Sequence, residues 1–361
     1  MKVGIITFHT ALNYGAVLQT YALFRTLMKM GVETKVIDYR APFNEKRFAP
    51  KPISYYFNPR EIYSIIFRNS YQRYNPEGFK NFIGKYISLT HPIYSYEYLK
   101  ELNKDFDVFI TGSDQVWNLA CTSGDDAYYL SFVDDIRKKN SYAASFGYTQ
   151  LPVDKQPLYA KLLEGFNHVS VREMAGIDIV DSLVGKRAEL VLDPTLLLDK
   201  SEWETLADYS LVPHKKYMLM YLMSEDKRLI DKAKEYAQKH DLEILYLTQR
   251  LFNVRGVNNV RDATPEQWLG LFLHAKAVAT NSFHGLVFSI NFEKHFITKY
   301  IPRSIANSRI ETIVNGFGLQ HNLIDSPQFD MEQETNVNNL SRILSEKRRL
   351  SINYLMRIIN D

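Results

Sequence analysis

The sequence repeats one local pattern, a short apolar run that ends in small or polar residues and is followed by a helix-forming stretch. Its first example is the run at 2–8, which precedes a turn-rich loop at 9–15, a helical pattern at 16–30 before Gly31, and a second run at 34–38. Parallel strands need long crossover connections, and helices usually supply them. The pattern therefore predicts an α/β protein that opens with a βαβ unit.

Two further series of these runs divide the chain. The first series has runs at 107–111, 141–146, 168–171 and 189–192, and the second has runs at 217–222, 243–247, 277–280 and 296–298. Helical patterns at 226–239 and 264–274 separate runs of the second series. We predict two α/β halves with a cleft between them, in which ligands bind at the carboxyl ends of the strands.

We place the boundary between the two halves at about residue 205. In this prediction, 1–205 form an N-terminal Rossmann-like domain, 206–335 form a second one, and 336–361 form a tail with an amphipathic helix over 338–359. The sequence leaves open whether the tail helix packs back on the first half.

Composition excludes several classes of protein. Lys and Arg number 44 against 41 Asp and Glu, a balance too even for a dedicated nucleic-acid binder. Cys121 is the single cysteine, which excludes an internal disulfide framework and a cysteine-based zinc site. No apolar run approaches the roughly 18–20 residues that span a bilayer, and the N-terminus reaches polar His9 too soon for a signal peptide. We expect a cytoplasmic protein with no nucleic-acid partner.

The segment 41–100 differs from its surroundings in composition. It contains nine Tyr and six Phe, and nine Lys and Arg against four Asp and Glu. Such a segment is either a docking surface for an anionic lipid, glycan or nucleic acid, or an insertion whose aromatic side chains pack on the main domain. Its interruption by Pro and Gly favours the packed insertion.

The strongest local signal is the stretch TNSFHG at 280–285. Asn281 and Ser282 follow a predicted strand, and Gly285 lets the backbone turn tightly before a helix that we expect from Leu286. A helix N-terminus attracts anions, so His284 is placed to exchange a proton beside a bound phosphate or carboxylate. The alternative is that His284 only forms hydrogen bonds within the loop; we favour the functional interpretation.

Arg172 stands at the end of another predicted strand. A guanidinium there would face the cleft and could hold a phosphate or carboxylate through two hydrogen bonds. The alternative is an ion pair with Glu173 or with another acid, and the residues alone leave both open.

Three other groups of residues are candidates for the donor or acceptor part of the cleft. They are Asn13, Tyr14 and Gly15 before the first helix, Ser113, Asp114 and Trp117 after the run at 107–111, and the cations Arg303 and Arg309. Trp117 would either stack on a sugar ring or fill the core, and solvated surface positions are the alternative for the two arginines. Asp193, with Pro194, is expected to close a turn.

Several catalytic motifs are absent from the sequence. It lacks the phosphate-binding G-x-x-x-x-G-K-[ST] loop, the dinucleotide G-x-G-x-x-G fingerprint, the G-x-S-x-G elbow and the H-E-x-x-H zinc motif. Asp105 and Asp107 match the metal-binding D-x-D of many glycosyltransferases, but they precede their strand and so lie at the wrong end of the sheet. We expect no metal and no cofactor.

Six stretches resemble the polysaccharide pyruvyl transferase family. They are FHTALNYGAVLQTYAL at 8–23, FITGSDQVWN at 109–118, SYAASFG at 141–147, VSVRE at 169–173, VLDPT at 191–195, and the stretch at 262–289 that contains TNSFHG. They occur in order over most of the chain, and their combination is specific although no single one of them is.

The resemblance implies a GT-B-like fold and a transfer of a pyruvyl group from phosphoenolpyruvate to sugar hydroxyls. The implied product is a pyruvate ketal on a cell-surface polysaccharide or its lipid-linked precursor, with release of phosphate. By the same resemblance, the histidine of the S-F-H-G motif, His284, is catalytic or binds the donor, and the arginine of the S-V-R-E motif, Arg172, holds the donor's anionic groups. Asn281, Ser282 and Gly285 complete the expected donor site.

Two other functions remain open. A GT-B-type nucleotide-sugar glycosyltransferase would need a site for the base and ribose in the second half, and a non-catalytic glycan-binding protein would use the aromatic segment. A lipid-linked acceptor would place the reaction at the inner face of the cytoplasmic membrane, with the segment 41–100 as a peripheral contact with the membrane.

Overall fold

Two parallel sheets, each packed against helices, form the framework of the protein. The computed structural model describes residues 1–41, 57–60, 62–63, 75–185, 188–250 and 253–361. Its strands are β1 (Lys2–Ile6), β2 (Glu33–Val36), β3 (Val108–Thr111), β4 (Lys139–Ser141), β5 (Ser170–Val171), β6 (Glu189–Leu190), β7 (Tyr217–Tyr221), β8 (Glu243–Leu247), β9 (Asn258–Val260), β10 (Ala277–Thr280) and β11 (His295–Thr298). Its helices are α1 (Tyr14–Lys29), α2 (Pro76–Tyr86), α3 (Tyr96–Glu101), α4 (Leu119–Thr122), α5 (Gln156–Glu164), α6 (Met174–Val184), α7 (Lys200–Glu204), α8 (Lys227–Lys239), α9 (Pro265–His274), α10 (Phe283–Asn291), α11 (Ser308–Phe317) and α12 (Val337–Asn360).

The first sheet has the strand order β2-β1-β3-β4, with parallel pairing throughout. The predicted βαβ opening is confirmed: the side chain of Asn13 caps α1 by accepting a hydrogen bond from the Ala16 N–H, and Gly31 follows the helix at a φ of 80°. Isolated bridges from Asn140 and Ala144 connect this sheet to the short β5–β6 pair.

Several predicted strands of the first half are shorter than expected, among them the runs at 168–171 and 189–192, and the run at 141–146 departs most. The run at 141–146 was expected to be a strand, but β4 ends at Ser141. Ala143 has a φ of 50°, in the left-handed region, and a residue in that conformation interrupts the extended backbone. The chain beyond β4 therefore forms a loop at the carboxyl edge of the sheet instead of continuing the ladder.

The second sheet has the strand order β11-β10-β7-β8-β9, again with parallel pairing. The predicted bounds of β8, β10 and α9 are confirmed. Thr264 accepts a hydrogen bond from the Gln267 N–H while the Gln267 side chain accepts one from the Thr264 N–H, so the capping box fixes where α9 begins.

The strand orders give each sheet a point where the chain reverses its direction of winding. In the first sheet this point lies between β1 and β3, and in the second it lies between β7 and β10. Open parallel sheets bind ligands in the crevice beside such a point, at the carboxyl ends of the strands. The loops after these four strands are therefore where the fold favours a site.

The two halves share one hydrophobic core. A single buried cluster contains Leu18 of α1, Trp203 of α7, Trp268 of α9 and Phe288 of α10. An interface of this kind holds the two sheets in a fixed relation, because separating them would expose large aromatic surfaces to water.

The tail helix α12 contacts the first half. The Tyr354 hydroxyl donates to the Ser141 carbonyl at 2.9 Å, and the Ser351 hydroxyl accepts from the Leu192 N–H at 2.9 Å. Leu355 and Ile358 are buried beside them. These contacts connect the end of the chain to the last residue of β4 and to the segment that follows β6.

Much of the aromatic segment predicted at 41–100 lies outside the described residues. In the part that is described, Phe79 and Phe82 of α2 are buried in the shared core, whereas Tyr94 and Tyr98 are exposed. The packed interpretation thus applies to α2. Within the described ranges, no helix is both long enough and apolar enough to cross a membrane.

Candidate functional site

His284 lies in the first turn of α10, directly after β10. The Ser282 hydroxyl caps this helix by accepting a hydrogen bond from the Gly285 N–H at 3.3 Å. Because of this cap, the helix begins at Phe283 and not at Leu286 as expected, so His284 is helical. Gly285 is required by space: a Cβ there would lie 2.3 Å from Thr280 Oγ1.

Asn281 connects the two loops at the reversal point of the second sheet. Its Oδ1 accepts a hydrogen bond from the Met223 N–H at 2.8 Å, and its Nδ2 donates to the Ser224 carbonyl at 2.8 Å. The loop after β7 is thereby fixed against the loop after β10, beside the N-terminus of α10.

A cavity of about 110 Å³ lies where the reversal points of the two sheets face each other. The first half contributes the loops after β1 and β3, and the second half contributes the start of α10 and the region around α11. Six of the predicted site residues line this cavity: Asn13, Asp114, Asn281, Ser282, His284 and Arg309. The structure thus brings together residues that are up to about 300 positions apart in the sequence.

Arg172 does not face the open cleft, which corrects the expectation that it holds the donor's anionic groups. Its side chain is 0% exposed; NH1 donates to Asp193 Oδ2 at 2.8 Å and NH2 donates to Asp114 Oδ1 at 3.1 Å. Its Nε lies 3.9 Å from Glu173 Oε2, and its guanidinium stacks on the Phe283 ring at 4.5 Å. Three carboxylates therefore surround this cation, which makes it a buried support beneath the cavity.

Asp193 is the site residue that the sequence interpretation missed. It does close a turn, since its Oδ1 accepts from the N–H and the hydroxyl of Thr195 at 3.0 and 2.7 Å. Its Oδ2, however, accepts from Arg172 and lies 3.7 Å from His284 Nε2. Burial by itself would raise the pKa of Asp193, but His284 and Arg172 hold that pKa well below its usual range. An ionised carboxylate thus faces the imidazole.

Asp114 carries a second negative charge to the cavity wall. It sits at a φ of 69°, a left-handed conformation that is uncommon for a non-glycine residue and is often found at functional sites. Burial would raise its pKa, but the positive charges of Arg172, His284 and Arg309 lower it. Asp114 is therefore ionised at neutral pH.

Arg309, at the start of α11, is the cation that remains available in the cavity. Its Nε donates to the Ala306 carbonyl at 3.3 Å, and its guanidinium lies 5.6 Å from the Phe283 ring. Among the described residues, no carboxylate lies within ion-pairing distance of it. Burial, and next the charge of Arg172, lower the pKa of Arg309 to about 10, so it is still protonated at neutral pH.

The remaining predicted cleft residues have other environments. Trp117 is fully buried and stacks on Tyr129 at 5.7 Å, so its expected place in the cleft is wrong and it fills the core. Tyr14 is also buried, stacks on Trp268 at 5.7 Å and donates its hydroxyl to the Ala263 carbonyl, which makes it a contact between the halves. Arg303 is exposed and does not line the cavity.

Two small residues, Ser113 and Gly15, contact the Asp193–His284 pair. Ser113 is buried, with its hydroxyl 2.9 Å from the Ala143 carbonyl and 3.2 Å from Asp193 Oδ2. Gly15, in the first turn of α1, packs directly against the His284 ring from the opposite half. Both contacts fix the position of the Asp193–His284 pair. In the described part of the chain, no group of three or more His, Cys, Asp or Glu side chains is placed to hold a metal ion.

The fold is GT-B-like, with two Rossmann-like domains and a cleft between them. A Listeria monocytogenes protein described as a candidate UDP-N-acetylglucosamine 2-epimerase is similar to this chain, with a TM-score of 0.51 and 11% identity over 98% of this chain and 90% of that one. The UDP-GlcNAc 2-epimerase of Methanocaldococcus jannaschii in complex with UDP-GlcNAc and UDP (TM-score 0.46, 11% identity, 99% of each chain) is also similar. So is the E. coli heptosyltransferase WaaC with ADP (TM-score 0.43, 12% identity, 96% of this chain and 100% of that one).

The family follows from the sequence and not from these likenesses, of which the first shows the fold alone. The sequence model of the polysaccharide pyruvyl transferase family matches residues 13–300. The chain therefore belongs to the polysaccharide pyruvyl transferase family. No curated protein matches the sequence.

Proposed function

We propose that the protein transfers a pyruvyl group from phosphoenolpyruvate to two hydroxyls of a sugar, in a cell-surface polysaccharide or in its lipid-linked precursor. The product is a cyclic pyruvate ketal, and phosphate is released. One observation carries this proposal: His284 and Arg309, a cation with no carboxylate in ion-pairing distance among the described residues, line one cavity at the N-terminus of α10. Membership of the family supports the same activity.

The side of the cavity formed by Arg309 and the N-terminus of α10 suits an anionic donor. Phosphoenolpyruvate carries a phosphate and a carboxylate, and Arg309 and the N-terminus of α10 are the two groups that attract them. Arg172 contributes indirectly, because its charge is already balanced by Asp114 and Asp193. Donor binding is thus assigned to Arg309, and Arg172 is a positioning residue.

The reaction needs one proton at carbon and the loss of two from hydroxyls. A proton adds to the methylene carbon of phosphoenolpyruvate, and the first sugar hydroxyl adds to the oxocarbenium-like C2 and loses its proton. The bond from C2 to the phosphate oxygen then breaks, and phosphate leaves with the electron pair. The second hydroxyl closes the ketal, and the proton that it loses ends on the released phosphate. His284 moves a proton in one of these steps, as an imidazole can at neutral pH.

Asp193 and Asp114 have different parts in this chemistry. Asp193 is held by Arg172 and Thr195 and faces His284 Nε2, so it orients the imidazole and stabilises its charged form. Asp114 lines the cavity as an ionised carboxylate, so it is placed to accept a hydrogen bond from an acceptor hydroxyl. Neither role requires a metal ion or a cofactor.

A release assay tests the proposal. Phosphoenolpyruvate is incubated with a panel of galactosides, mannosides and glycan-lipids, and phosphate is measured. We expect release that depends on the acceptor, that is lost in His284→Ala, and that persists in His91→Ala, which changes an exposed histidine. If no phosphate is released from phosphoenolpyruvate but a nucleotide sugar is consumed in the presence of the same acceptors, the protein is a glycosyltransferase instead.

We also propose where in the cell the protein acts and how it contacts the membrane. A lipid-linked acceptor would bring the protein to the inner face of the cytoplasmic membrane, with the basic, aromatic segment 41–100 as the contact. Co-sedimentation with anionic liposomes should then be sensitive to salt. Absence of binding at low ionic strength would contradict the membrane contact and would leave the transfer reaction untouched.

A further inference from the structure

A second, larger cavity lies apart from the His284 site. It has a volume of about 630 Å³ and is enclosed by β6, α6, α11 and α12. This volume falls within the range of roughly 300–1,000 Å³ that is typical of small-molecule sites. Most of its wall is apolar, with Ile313 and Phe317 of α11 among the lining residues.

Three large apolar side chains that line this cavity are exposed to solvent. Met174 is 50% exposed, Leu190 is 37% exposed and Leu350 is 53% exposed. They come from α6, β6 and α12, so three distant parts of the chain converge on one apolar surface. Exposed apolar residues scattered singly are ordinary, but a group around one cavity indicates a binding site for an apolar group.

Two buried polar atoms in the residues of its inner wall form no hydrogen bond within the described part of the chain, although Arg172 Nε lies 3.9 Å from Glu173 Oε2. Arg172 and Ser308 are 2% and 6% exposed. Among the described residues, none forms a hydrogen bond with Arg172 Nε or with Ser308 Oγ. A buried donor without an acceptor is destabilising, and an oxygen atom of a bound molecule would satisfy it.

The charges of the wall are net negative. Asp178 and Glu311 supply two negative charges and Lys347 supplies one positive charge, while the charge of Arg172 is already balanced by Asp114 and Asp193. An anionic head group would be repelled, whereas an uncharged head with several oxygens would meet donors without repulsion.

We propose that this cavity binds an uncharged amphiphile, whose apolar chain packs between Met174 and Leu350 and whose oxygen-rich head accepts hydrogen bonds from Arg172 and Ser308. The site is separate from the donor cavity, although α11 contributes Arg309 to one and Ser308 to the other. The proposal is independent of pyruvyl transfer, because it rests on the shape and polarity of this cavity alone.

Binding of alkyl glycosides tests the proposal. The dissociation constants of n-octyl β-D-galactoside, methyl β-D-galactoside and n-octyl sulfate are measured by calorimetry on the full chain, below the micelle concentrations. We expect the octyl galactoside to bind at least about tenfold more tightly than the methyl galactoside, since each buried methylene adds affinity. We also expect it to bind more tightly than octyl sulfate.

A cavity-filling variant and its matched control locate the binding. Gly316→Leu places a side chain in the cavity. The nearest atoms to the new Cβ would be Nζ and Cε of Lys347, at 3.7 and 3.8 Å. Gly84→Leu makes the same change on α2, where nothing lies within 4 Å of the new Cβ. Gly316→Leu should weaken the binding of octyl galactoside at least about tenfold, and Gly84→Leu should leave that binding unchanged. Leu350→Asp, at the exposed rim of the cavity, gives a second test if Gly316→Leu does not fold.

Three results would overturn the proposal: equal affinity for the octyl and methyl galactosides, tighter binding of octyl sulfate, or binding that Gly316→Leu and Leu350→Asp leave unaffected. Each readout is direct binding, so these results are distinct from a failure of the transfer assay.

Discussion

Gly15 and His284 come from opposite halves of the molecule and touch so closely that a Cβ atom at position 15 would lie 2.0 Å from His284 Nδ1. The first turn of α1 therefore packs against the first turn of α10. The candidate site is complete only when the two halves are docked, and the shared aromatic core holds them in that arrangement.

This contact predicts that Gly15→Ala displaces the imidazole and lowers turnover. A displacement of about 1 Å at a catalytic group costs on the order of a hundredfold in rate, so we expect a loss of at least that size in acceptor-dependent phosphate release. The thermal midpoint should also fall, because an added methyl group in a filled contact forces its neighbours to shift, at a cost of about 1–3 kcal/mol. Gly84→Ala, on an open helix surface, is the control: its turnover should match the wild type and its thermal midpoint should not fall. Normal turnover in Gly15→Ala would show that the position of the His284 ring is not critical.

Breaking the buried ion pair between Asp193 and Arg172 should destabilise the fold. Asp193→Asn leaves a fully buried guanidinium with less compensating charge, and losing one member of a buried pair typically costs about 3–5 kcal/mol. Urea denaturation measures the free energy of unfolding. Asp135→Asn removes the partly exposed partner of the exposed Arg137 and should cause no measurable change. A loss as small for Asp193→Asn as for the control would contradict the supporting role assigned to this pair.

The stability difference between the wild type and Asp193→Asn should depend on pH. The pKa of Asp193 is lowered in the folded protein, whereas an aspartate in the unfolded chain titrates near 3.9. The unfolded state therefore binds the proton first as pH falls, so the stabilising contribution is present above about pH 4 and is lost progressively as pH falls from there through the folded-state pKa. Urea midpoints of both proteins, measured between about pH 7 and pH 2, should begin to converge below about pH 4. A constant difference over this range would show that the Asp193 charge is not what stabilises the fold.

Arg309 should control donor binding, and Arg303 should not. A hydrogen bond from a charged group contributes about 1.5–3 kcal/mol, so Arg309→Ala should weaken phosphoenolpyruvate binding about 10- to 150-fold. Arg303→Ala removes the other predicted arginine, which is exposed outside the cavity, and should leave binding within about twofold. The thermal shift caused by phosphoenolpyruvate reports both affinities. Similar weakening in the two variants would point to a diffuse electrostatic effect instead of a specific contact.

The sequence predicts the architecture because periodicity and capping are local. The apolar runs locate the strands, and the capping box of Thr264 and Gln267 places the start of α9 correctly. The same local information predicts that Asp114 and His284 lie at strand ends, and parallel sheets bring strand ends to one edge. Their common cavity is a consequence of that geometry.

The partners of buried polar groups are not local, and there the sequence interpretation fails. Arg172 is 58 positions from Asp114 and 21 from Asp193, so nothing near Arg172 reveals that its guanidinium is already occupied. Asp193 is recognisable as a turn residue, but the second role of its carboxylate depends on how α10 docks against it. A polar residue at a strand end therefore marks the neighbourhood of a site without assigning its role.

Trp117 shows the same limit for aromatic residues. An aromatic side chain among polar residues after a strand suits a sugar platform and a core position equally well. The choice is made by Tyr129, Phe146 and Phe166, which surround the indole and come from later parts of the chain.

Mass spectrometry of the acceptor tests the central claim most directly. A sugar acceptor incubated with the protein and carbon-labelled phosphoenolpyruvate should gain the mass of one labelled pyruvic acid less one water, which is the signature of a ketal across two hydroxyls. The product should be missing with His284→Ala and present with His91→Ala. An acceptor that gains a sugar from a nucleotide sugar instead, or labelled phosphoenolpyruvate that stays intact with every acceptor that the protein binds, would contradict pyruvyl transfer.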